Sequence, residues 1–234
     1  MTQLYPVRHC FSTGRTLLST AVVCLLGGTG MQASADDTIP ALSWYPRAEL
    51  PAEQQQSLPA FCSGDYRVPA FTALPDGRIE AEADQSTTDR DGNTVLTGDV
   101  IIRQADQRLR ADTVRWNQTT YSGQLSGHVS LASPDMVMQG ESATVVNAGE
   151  QVNFYQAEYS VPARHFRGSA DSIETPEENR LNLTNATFTF CEPGQNDWDL
   201  AASELNLDQE NGIGSAWHTR LRIAEVPVLY IPYY

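Results

Sequence analysis

From residue 79 onward, apolar and polar residues alternate along the chain, and this alternation limits the possible folds more than any other feature. An apolar or small residue stands at every second position of four stretches, residues 96–102, 125–131, 155–161 and 188–190. Successive side chains of a β-strand point to opposite faces, so each stretch predicts a strand with one apolar face. Helical periodicity is almost absent from this part of the chain. The sequence therefore predicts an all-β fold.

The predicted strands also form a weak internal repeat. A small residue followed by an acidic one opens a strand in EAEADQS (80–86), LRADTV (109–114), QGESATV (139–145), RGSADSI (167–173) and AASELNL (201–207). Turn-forming residues lie between the strands, for example Asp91-Gly92-Asn93 and Glu192-Pro193-Gly194. The spacing of about 27–33 residues is typical of stacked repeat architectures. β-Hairpins stacked along one axis either bury their apolar faces or line a continuous groove with them.

The residues before this β-rich part divide into two segments. Residues 1–35 combine two arginines, a short apolar run and an Ala-Ser-Ala site, which predicts a secretory signal peptide cleaved before Asp36. An uncleaved membrane anchor is the alternative, but the apolar run is short for a bilayer. Residues 36–78 contain six prolines and predict an irregular leader, with one short helix in RAELPAEQQQ at 47–56.

The β-rich domain is expected to span residues 79–222, and a different segment follows it. Residues 223–234 become more apolar and aromatic up to Tyr234. Chain termini are normally polar and frayed, so this segment predicts a connection into a further part of a longer protein. A docked C-terminal strand is the alternative.

Charge and cysteine content narrow the function classes. Two of the fifteen basic residues lie in the predicted signal peptide, which leaves 13 basic against 29 acidic residues. This negative balance argues against nucleic acid and against electrostatic docking on an anionic membrane, because both need clustered Lys and Arg. Of the four cysteines, Cys62 and Cys191 follow the signal peptide. Export places these two thiols in a compartment where disulfides persist.

The sequence contains no constellation that indicates catalysis, a metal or a cofactor. His128, His165 and His218 lie far apart and lack the spacing of metal ligands. The segment DRDGN at 89–93 resembles the start of a calcium loop, but the later ligands are missing and a hairpin turn explains it. Phosphate-binding loops and nucleophile motifs are absent from the sequence. These features predict a binding or structural protein rather than an enzyme.

Several segments resemble one known family. TVLTGDVIIRQADQRLRADTVRWNQ (94–118) is similar to the strand pair of the OstA-like lipopolysaccharide (LPS) transport domains. FTFCEPGQNDWDL (188–200) and IAEVPVLYIPYY (223–234) are similar to the cysteine turn and the barrel-entry segment of the outer-membrane LPS-assembly branch of that family. Cys62, in PAFCSGDY, matches the early cysteine of the same branch. The resemblance covers roughly residues 60–234.

The resemblance implies a fold, a function and a set of partners. It implies an open β-jelly-roll (a β-taco) on the periplasmic side of the outer membrane, whose groove carries LPS acyl chains toward a β-barrel outside these residues. The implied partners are LPS, an LptA-like periplasmic bridge protein and, through the barrel, an LptE-like lipoprotein; no cofactor is implied. It also implies that Cys62 and Cys191 bond to two cysteines near the end of the barrel, and pair with each other only in an assembly intermediate.

The predicted lipid-groove residues lie on the apolar side of their strands. They are Val100, Ile102, Val114, Trp116, Val129, Leu131, Tyr159 and Phe188. Apolar alternation serves a lipid groove and a packed core equally, so the residues alone leave both open. If they line a groove, we expect Asp at Val100 or Ile102 to block lipid crosslinking without unfolding the domain.

Three other functions remain as alternatives. One is a soluble bridge protein of the same fold, and the cysteine turn and the apolar ending argue against it. Another is a structural β-solenoid or adhesin segment that binds no ligand. A polysaccharide-active enzyme is the third, and it lacks a convincing pair of carboxylates.

Overall fold

The computed structural model of the chain describes residues 7–12, 41–60, 62–75, 78–147, 151–176, 180–208, 211 and 213–234. The predicted signal peptide lies outside the described residues, except for the backbone of residues 7–12. The described strands are β1 (Val7–Ser12), β2 (Trp44–Pro46), β3 (Gly64–Tyr66), β4 (Arg78–Ala83), β5 (Gln85–Thr88), β6 (Asn93–Gln104), β7 (Gln107–Asn117), β8 (Ser122–Ala132), β9 (Val137–Val146), β10 (Gln151–Val161), β11 (Phe166–Glu174), β12 (Arg180–Phe188), β13 (Trp198–Asp208), β14 (Ile213–Ile223) and β15 (Val226–Tyr233).

Helical structure is limited to short segments within the described chain. One α-helix, α1 (Ala52–Ser57), lies in the leader, and 3-10 turns occupy Ala41–Ser43, Arg47–Glu49 and Pro162–Arg164. None of these helices is long and apolar enough to cross a bilayer.

Thirteen strands form one antiparallel sheet in which neighbours in space follow the order of the sequence. The order is β1, β4 and then β6 to β15 in turn. β4 pairs with the second half of β6 and β5 with its first half, so the two together run along β6 like one strand interrupted at Asp84. β1 and β15 end this order and do not pair with each other. The predicted all-β fold, an open jelly-roll of antiparallel strands, is confirmed.

A line of left-handed residues crosses the middle of alternate strands and bends the sheet. The central residues of β6, β8, β10, β12 and β14 have φ between 39° and 51°: Asp99, His128, Gln156, Asn185 and His218. Gly98 and Gly127 precede the first two with φ of 82° and 75°. Asn, Asp and His tolerate this region better than most residues. We call this line the bend line.

The acidic repeat of the sequence lies on the bend line. A Cβ on Gly98 or Gly127 would lie 2.3 Å from Asp84 Oδ2 or 2.2 Å from Asp112 Oδ2, so only glycine fits opposite these carboxylates. Asp112 Oδ2 also lies 2.9 Å from His128 Nδ1. The acidic residues that were expected to open strands therefore belong to the bends between the two halves of the sheet.

Two apolar rows line the concave face of the bent sheet, one on each side of the bend line. The first row crosses β6 to β14 through Leu96, Val114, Leu125, Ala143, Phe154, Ile173, Leu183, Leu205 and Ala216. The second crosses β4 and β6 to β11 through Ala81, Ile102, Leu109, Leu131, Met138, Tyr159 and Gly168. Apart from Ala216, the buried apolar members of both rows belong to one hydrophobic cluster, so the two halves of the sheet face each other.

Small side chains accompany the bend line on its inner side. Ala83, Ala111, Ala157, Ala170 and Ala186 are all buried there. Because an alanine projects only a methyl group, it lets the two halves of the sheet approach closely along this line.

The leader crosses the outer face of the sheet. Leu42 and Ser43 are buried, and Ser160 of β10 donates a hydrogen bond of 2.5 Å to the Leu42 carbonyl. Farther on, His165 Nδ1 lies 2.7 Å from Asp65 Oδ1. The leader also contains the two-stranded sheet of β2 and β3, which the proline-rich sequence did not predict.

Candidate functional site

The space between the two apolar rows is the candidate site, and we call it the trough. Four of the eight predicted groove residues lie deep in it: Val100, Val114, Val129 and Tyr159 are 0%, 3%, 1% and 4% exposed. Ile102 and Leu131 are partly buried against the same cluster. Trp116 and Phe188 are half-buried, beyond the ends of the cluster. The structure thus places the predicted residues along one concave surface whose centre is closely packed.

Two cavities lie near the trough, one on the outer face of the sheet and one at the end of β6 to β9. One, of about 230 Å³, is lined by residues that include Asp99, Arg110 and His128. The other, of about 530 Å³, is lined by residues of both faces at one end of β6 to β9. Trp116 is the only predicted groove residue at its wall, and its neighbours in register, Gly123 and Val145, also line it. The lining of the first cavity is rich in charged side chains and does not match the apolar concavity expected for a hydrocarbon chain, whereas the lining of the second is more apolar and includes the charged residue Arg115.

An aromatic cluster lies at the far end of the second row, past Tyr159. Phe166 and Phe188 have ring centroids 4.7 Å apart, and Phe188 and Phe190 have centroids 5.0 Å apart. Trp198 continues the series 6.0 Å from Phe190. Tyr159 is buried whereas Phe190 is 55% exposed, so the cluster connects the interior with the surface. Burial raises the pKa of the Tyr159 hydroxyl well above its usual range, and the hydroxyl stays protonated as a donor.

The connection between β12 and β13 holds Cys191 and is organised by Arg167. The Arg167 guanidinium donates to the carbonyl oxygens of Cys191, Glu192 and Gln195 at 3.1, 3.0 and 2.6 Å. It also donates to Asn196 Oδ1 at 2.8 Å. These four hydrogen bonds from the Arg167 side chain fix the conformation of the turn, because a guanidinium offers its donors in a rigid plane.

The leader meets this turn next to Cys62. The Ser63 backbone N–H donates to Glu192 Oε1 at 2.8 Å, and the Ser63 hydroxyl bonds the other oxygen of the same carboxylate. Cys62 directly precedes Ser63 and Cys191 directly precedes Glu192, so each cysteine is next in sequence to one partner of this hydrogen-bonded pair. Both cysteines are half-buried and have free thiols. Nearby, burial raises the pKa of Tyr66 to about 12.

The remaining polar candidates have local structural roles. Asp89 accepts hydrogen bonds from the backbone N–H groups of Asp91 and Asn93, both at 2.9 Å, and from Asn93 Nδ2 at 2.8 Å. These bonds lower the pKa of Asp89, with the Asn93 side chain as the largest cause. The DRDGN segment is therefore a hairpin turn. His128, His165 and His218 all adopt positive φ at bends or turns, a role that their spacing in the sequence did not reveal.

The last strand forms an exposed apolar edge. β15 pairs with β14 alone, and Val226, Val228, Leu229, Tyr230 and Tyr233 are each 51–60% exposed. Edge strands with so much apolar surface usually pair with another chain segment.

Comparison with known proteins identifies the class of this open jelly-roll. Residues 79–213 match the family model described as LptA/(LptD N-terminal domain) LPS transport protein. Because this match covers more than half of the chain, the protein belongs to that family.

The curated relatives of this chain include LPS-assembly proteins LptD. The chain is 32% identical over 188 residues to the protein of Saccharophagus degradans, covering 78% of this chain and 22% of the relative. It is 30% identical over 215 residues to that of Hahella chejuensis, covering 88% of this chain and 27% of the relative. The chain thus spans about a quarter of the length of these relatives. A solved structure, LptH, the LptA homologous periplasmic component of the LPS transport device from Pseudomonas aeruginosa, matches 62% of this chain and 94% of its own, at 16% identity and a TM-score of 0.27; a similarity this distant supports no further comparison.

Proposed function

We propose that this chain is the periplasmic part of an LptD-type LPS-assembly protein at the outer membrane. Its trough passes the acyl chains of LPS to an outer-membrane barrel, which places the lipid in the outer leaflet. No step of this function changes a covalent bond of the lipid, so the role is transport rather than catalysis.

The observation that carries the proposal is the continuity of the first apolar row. It crosses nine consecutive strands, from Leu96 on β6 to Ala216 on β14, without a polar residue. The sheet that presents the row is open at both edges, so the row has no closed end. A hydrocarbon chain needs such a continuous apolar lining with few polar interruptions.

The N-terminal edge supports an LptA-like bridge protein as a partner. β1 pairs with β4 over its whole length, from Val7 opposite Ala83 to Ser12 opposite Arg78. This edge therefore accepts an added antiparallel strand. Cleavage of the predicted signal peptide removes β1 and leaves the edge for a strand from the partner, as in other cases of strand addition.

The C-terminal edge and the cysteines support a connection to a barrel. β15 presents its apolar residues to solvent, and we propose that the barrel, which also carries an LptE-like lipoprotein, covers them. Cys62 and Cys191 have free thiols and are next in sequence to Ser63 and Glu192, which form the leader–turn contact. We propose that both bond to cysteines of the barrel and hold the trough over its opening.

A charge in the trough tests the proposal. Ile102 is the better position, since it is only partly buried, whereas Val100 is fully buried and an unpaired carboxylate there destabilises the core itself. Ile102→Asp is expected to reduce binding of fluorescent LPS to the purified chain by tenfold or more. The matched control is Gln124→Asp, which places the same charge on an exposed outer position of β8.

Circular dichroism and urea denaturation separate binding from folding in this experiment. The proposal requires that Ile102→Asp stays folded and loses LPS while Gln124→Asp retains it. Equal LPS binding by both variants contradicts it. Complete unfolding of Ile102→Asp favours the alternative of a packed structural core without a ligand.

A further inference from the structure

The pairing between β11 and β12 is interrupted on one side of the bend line. Within these two described strands, the ladder contains only Ser172–Thr184, Ile173–Leu183 and Glu174–Asn182, and one isolated bridge joins Arg167 to Thr189. The ladders on either side, β10–β11 and β12–β13, continue through both halves of the sheet. We call the interrupted stretch, residues 168–171 against 185–188, the seam.

Side chains replace the missing backbone ladder at the seam. The Ser169 N–H donates to Thr187 Oγ1 at 2.8 Å, and the two hydroxyl oxygens also lie 2.8 Å apart. Asn185 Nδ2 donates to Asp171 Oδ2 at 2.7 Å. Because a few side-chain bonds take the place of a regular ladder, the sheet separates more easily here than at its fully paired neighbours.

A tyrosine from a third strand completes the closure. The Tyr159 hydroxyl reaches over β11 and donates to the Thr187 carbonyl at 2.8 Å. The Tyr159 side chain crosses β11 at Gly168. A Cβ added to Gly168 would lie 1.9 Å from the Thr187 carbonyl oxygen and 2.7 Å from the Tyr159 ring and hydroxyl. In a regular ladder, a backbone N–H of β11 would donate to the Thr187 carbonyl. Here the Tyr159 side chain, which points into the trough, donates to it instead.

The seam lies between the packed interior and the aromatic cluster. Val100, Val129, Phe154 and Ile173 are at most 1% exposed, so the two halves of the sheet must part before an acyl chain enters the trough. Tyr159 contacts the cluster through Phe166, at a centroid distance of 6.5 Å. The interrupted junction between β11 and β12 therefore has an apolar surface leading outward from it.

We propose that the seam is a lateral portal of the trough, through which an acyl chain passes between the interior and the aromatic cluster of Phe166, Phe188, Phe190 and Trp198. The Tyr159 and Ser169 bonds to Thr187 hold the portal closed. This inference rests on the proposed function, because it takes an acyl chain of LPS as the molecule that passes.

Hydrogen–deuterium exchange on the purified chain without lipid tests whether the seam opens. Thr187→Val removes the Oγ1 acceptor and keeps the shape of the side chain. The amides of residues 168–171 and 185–188 are expected to exchange about fivefold faster in this variant, the effect of one hydrogen bond of ordinary strength. Thr184→Val is the matched control, because it makes the same change in the paired part of the same strand. Equal exchange in the two variants contradicts the portal.

Release of fluorescent LPS from the preloaded chain tests the passage itself. Thr187→Val is expected to release LPS about fivefold faster than the wild type and Thr184→Val at the wild-type rate. Tyr159→Phe, which removes only the hydroxyl, is expected to act like Thr187→Val and covers the case in which the latter misfolds. Release that is equal in all variants refutes the portal and leaves the proposed function standing. Failure of the wild type to bind LPS refutes both.

Discussion

The crossing of Tyr159 over Gly168 makes Gly168→Ala the most informative substitution for the fold. The new Cβ would meet the Thr187 carbonyl oxygen at 1.9 Å, far inside the 3.0 Å that real Cβ atoms respect, and the atom it meets is backbone. β11 and β12 must therefore move apart. Overpacking of this kind costs about 1–3 kcal/mol, and losing the Tyr159–Thr187 hydrogen bond adds about 1 kcal/mol.

Urea denaturation followed by tryptophan fluorescence measures this cost, and we expect the free energy of unfolding to fall by about 2–4 kcal/mol. Gly214→Ala is the control, since its Cβ would meet the flexible end of Leu207 at 2.9 Å, and a change within about 0.5 kcal/mol is expected. Because Tyr159→Phe removes an atom that the new Cβ would strike, the double variant Tyr159→Phe/Gly168→Ala should lose less than the sum of the single losses. Wild-type stability of Gly168→Ala, or strict additivity, would refute the reasoning.

Three further predictions concern the core, a turn and an ion pair. Phe154 is 1% exposed, so Phe154→Ala should lower the free energy of unfolding by about 3–5 kcal/mol. A urea midpoint close to that of the wild type would contradict the place of Phe154 in the core. Asn93→Ala should raise the pKa of Asp89, now lowered mainly by the Asn93 side chain, as an NMR titration of the carboxyl would show. Since the folded pKa is the lower one, the stabilisation that Asp89 provides is present above its unfolded pKa and is lost as the pH falls through the folded value. Asp199 binds Arg222 through two bonds of 2.6 Å, so Asp199→Asn should reduce thermal stability by about 1–2 kcal/mol, and an unchanged melting temperature would argue against that pair.

The sequence predicted the strands well because their signal is local. Alternation of apolar and polar residues depends only on which side chains face the core, and β6, β8 and β10 lie where the alternating stretches predicted them. The stretch 188–190 overlaps β12 only at Phe188, where that strand ends. The small-plus-acidic repeat was also visible. Its role was not, because the bend at Asp112 depends on Gly127 of the next strand, which no local pattern connects with it.

The candidate site could be predicted only in part. The predicted residues share a concave face, but whether Val100 and Val129 pack together depends on how closely the two halves of the sheet approach. That distance is set by small residues such as Ala111 and Ala157 on other strands. The sequence could not predict the seam for a similar reason. Gly168 and Thr187 take part in it only because the Tyr159 side chain, from a third strand, lies against Gly168 and donates to the Thr187 carbonyl.

The most direct test of the account is photo-crosslinking to LPS from two consecutive residues of β7. Trp116 faces the trough side, opposite Gly123, whereas Arg115 is exposed on the outer face. With a photoreactive amino acid at each position in turn, the account predicts LPS adducts from position 116 and none from position 115. Adducts of equal yield from both positions, or from position 115 alone, contradict the claim that the trough is the path of the lipid.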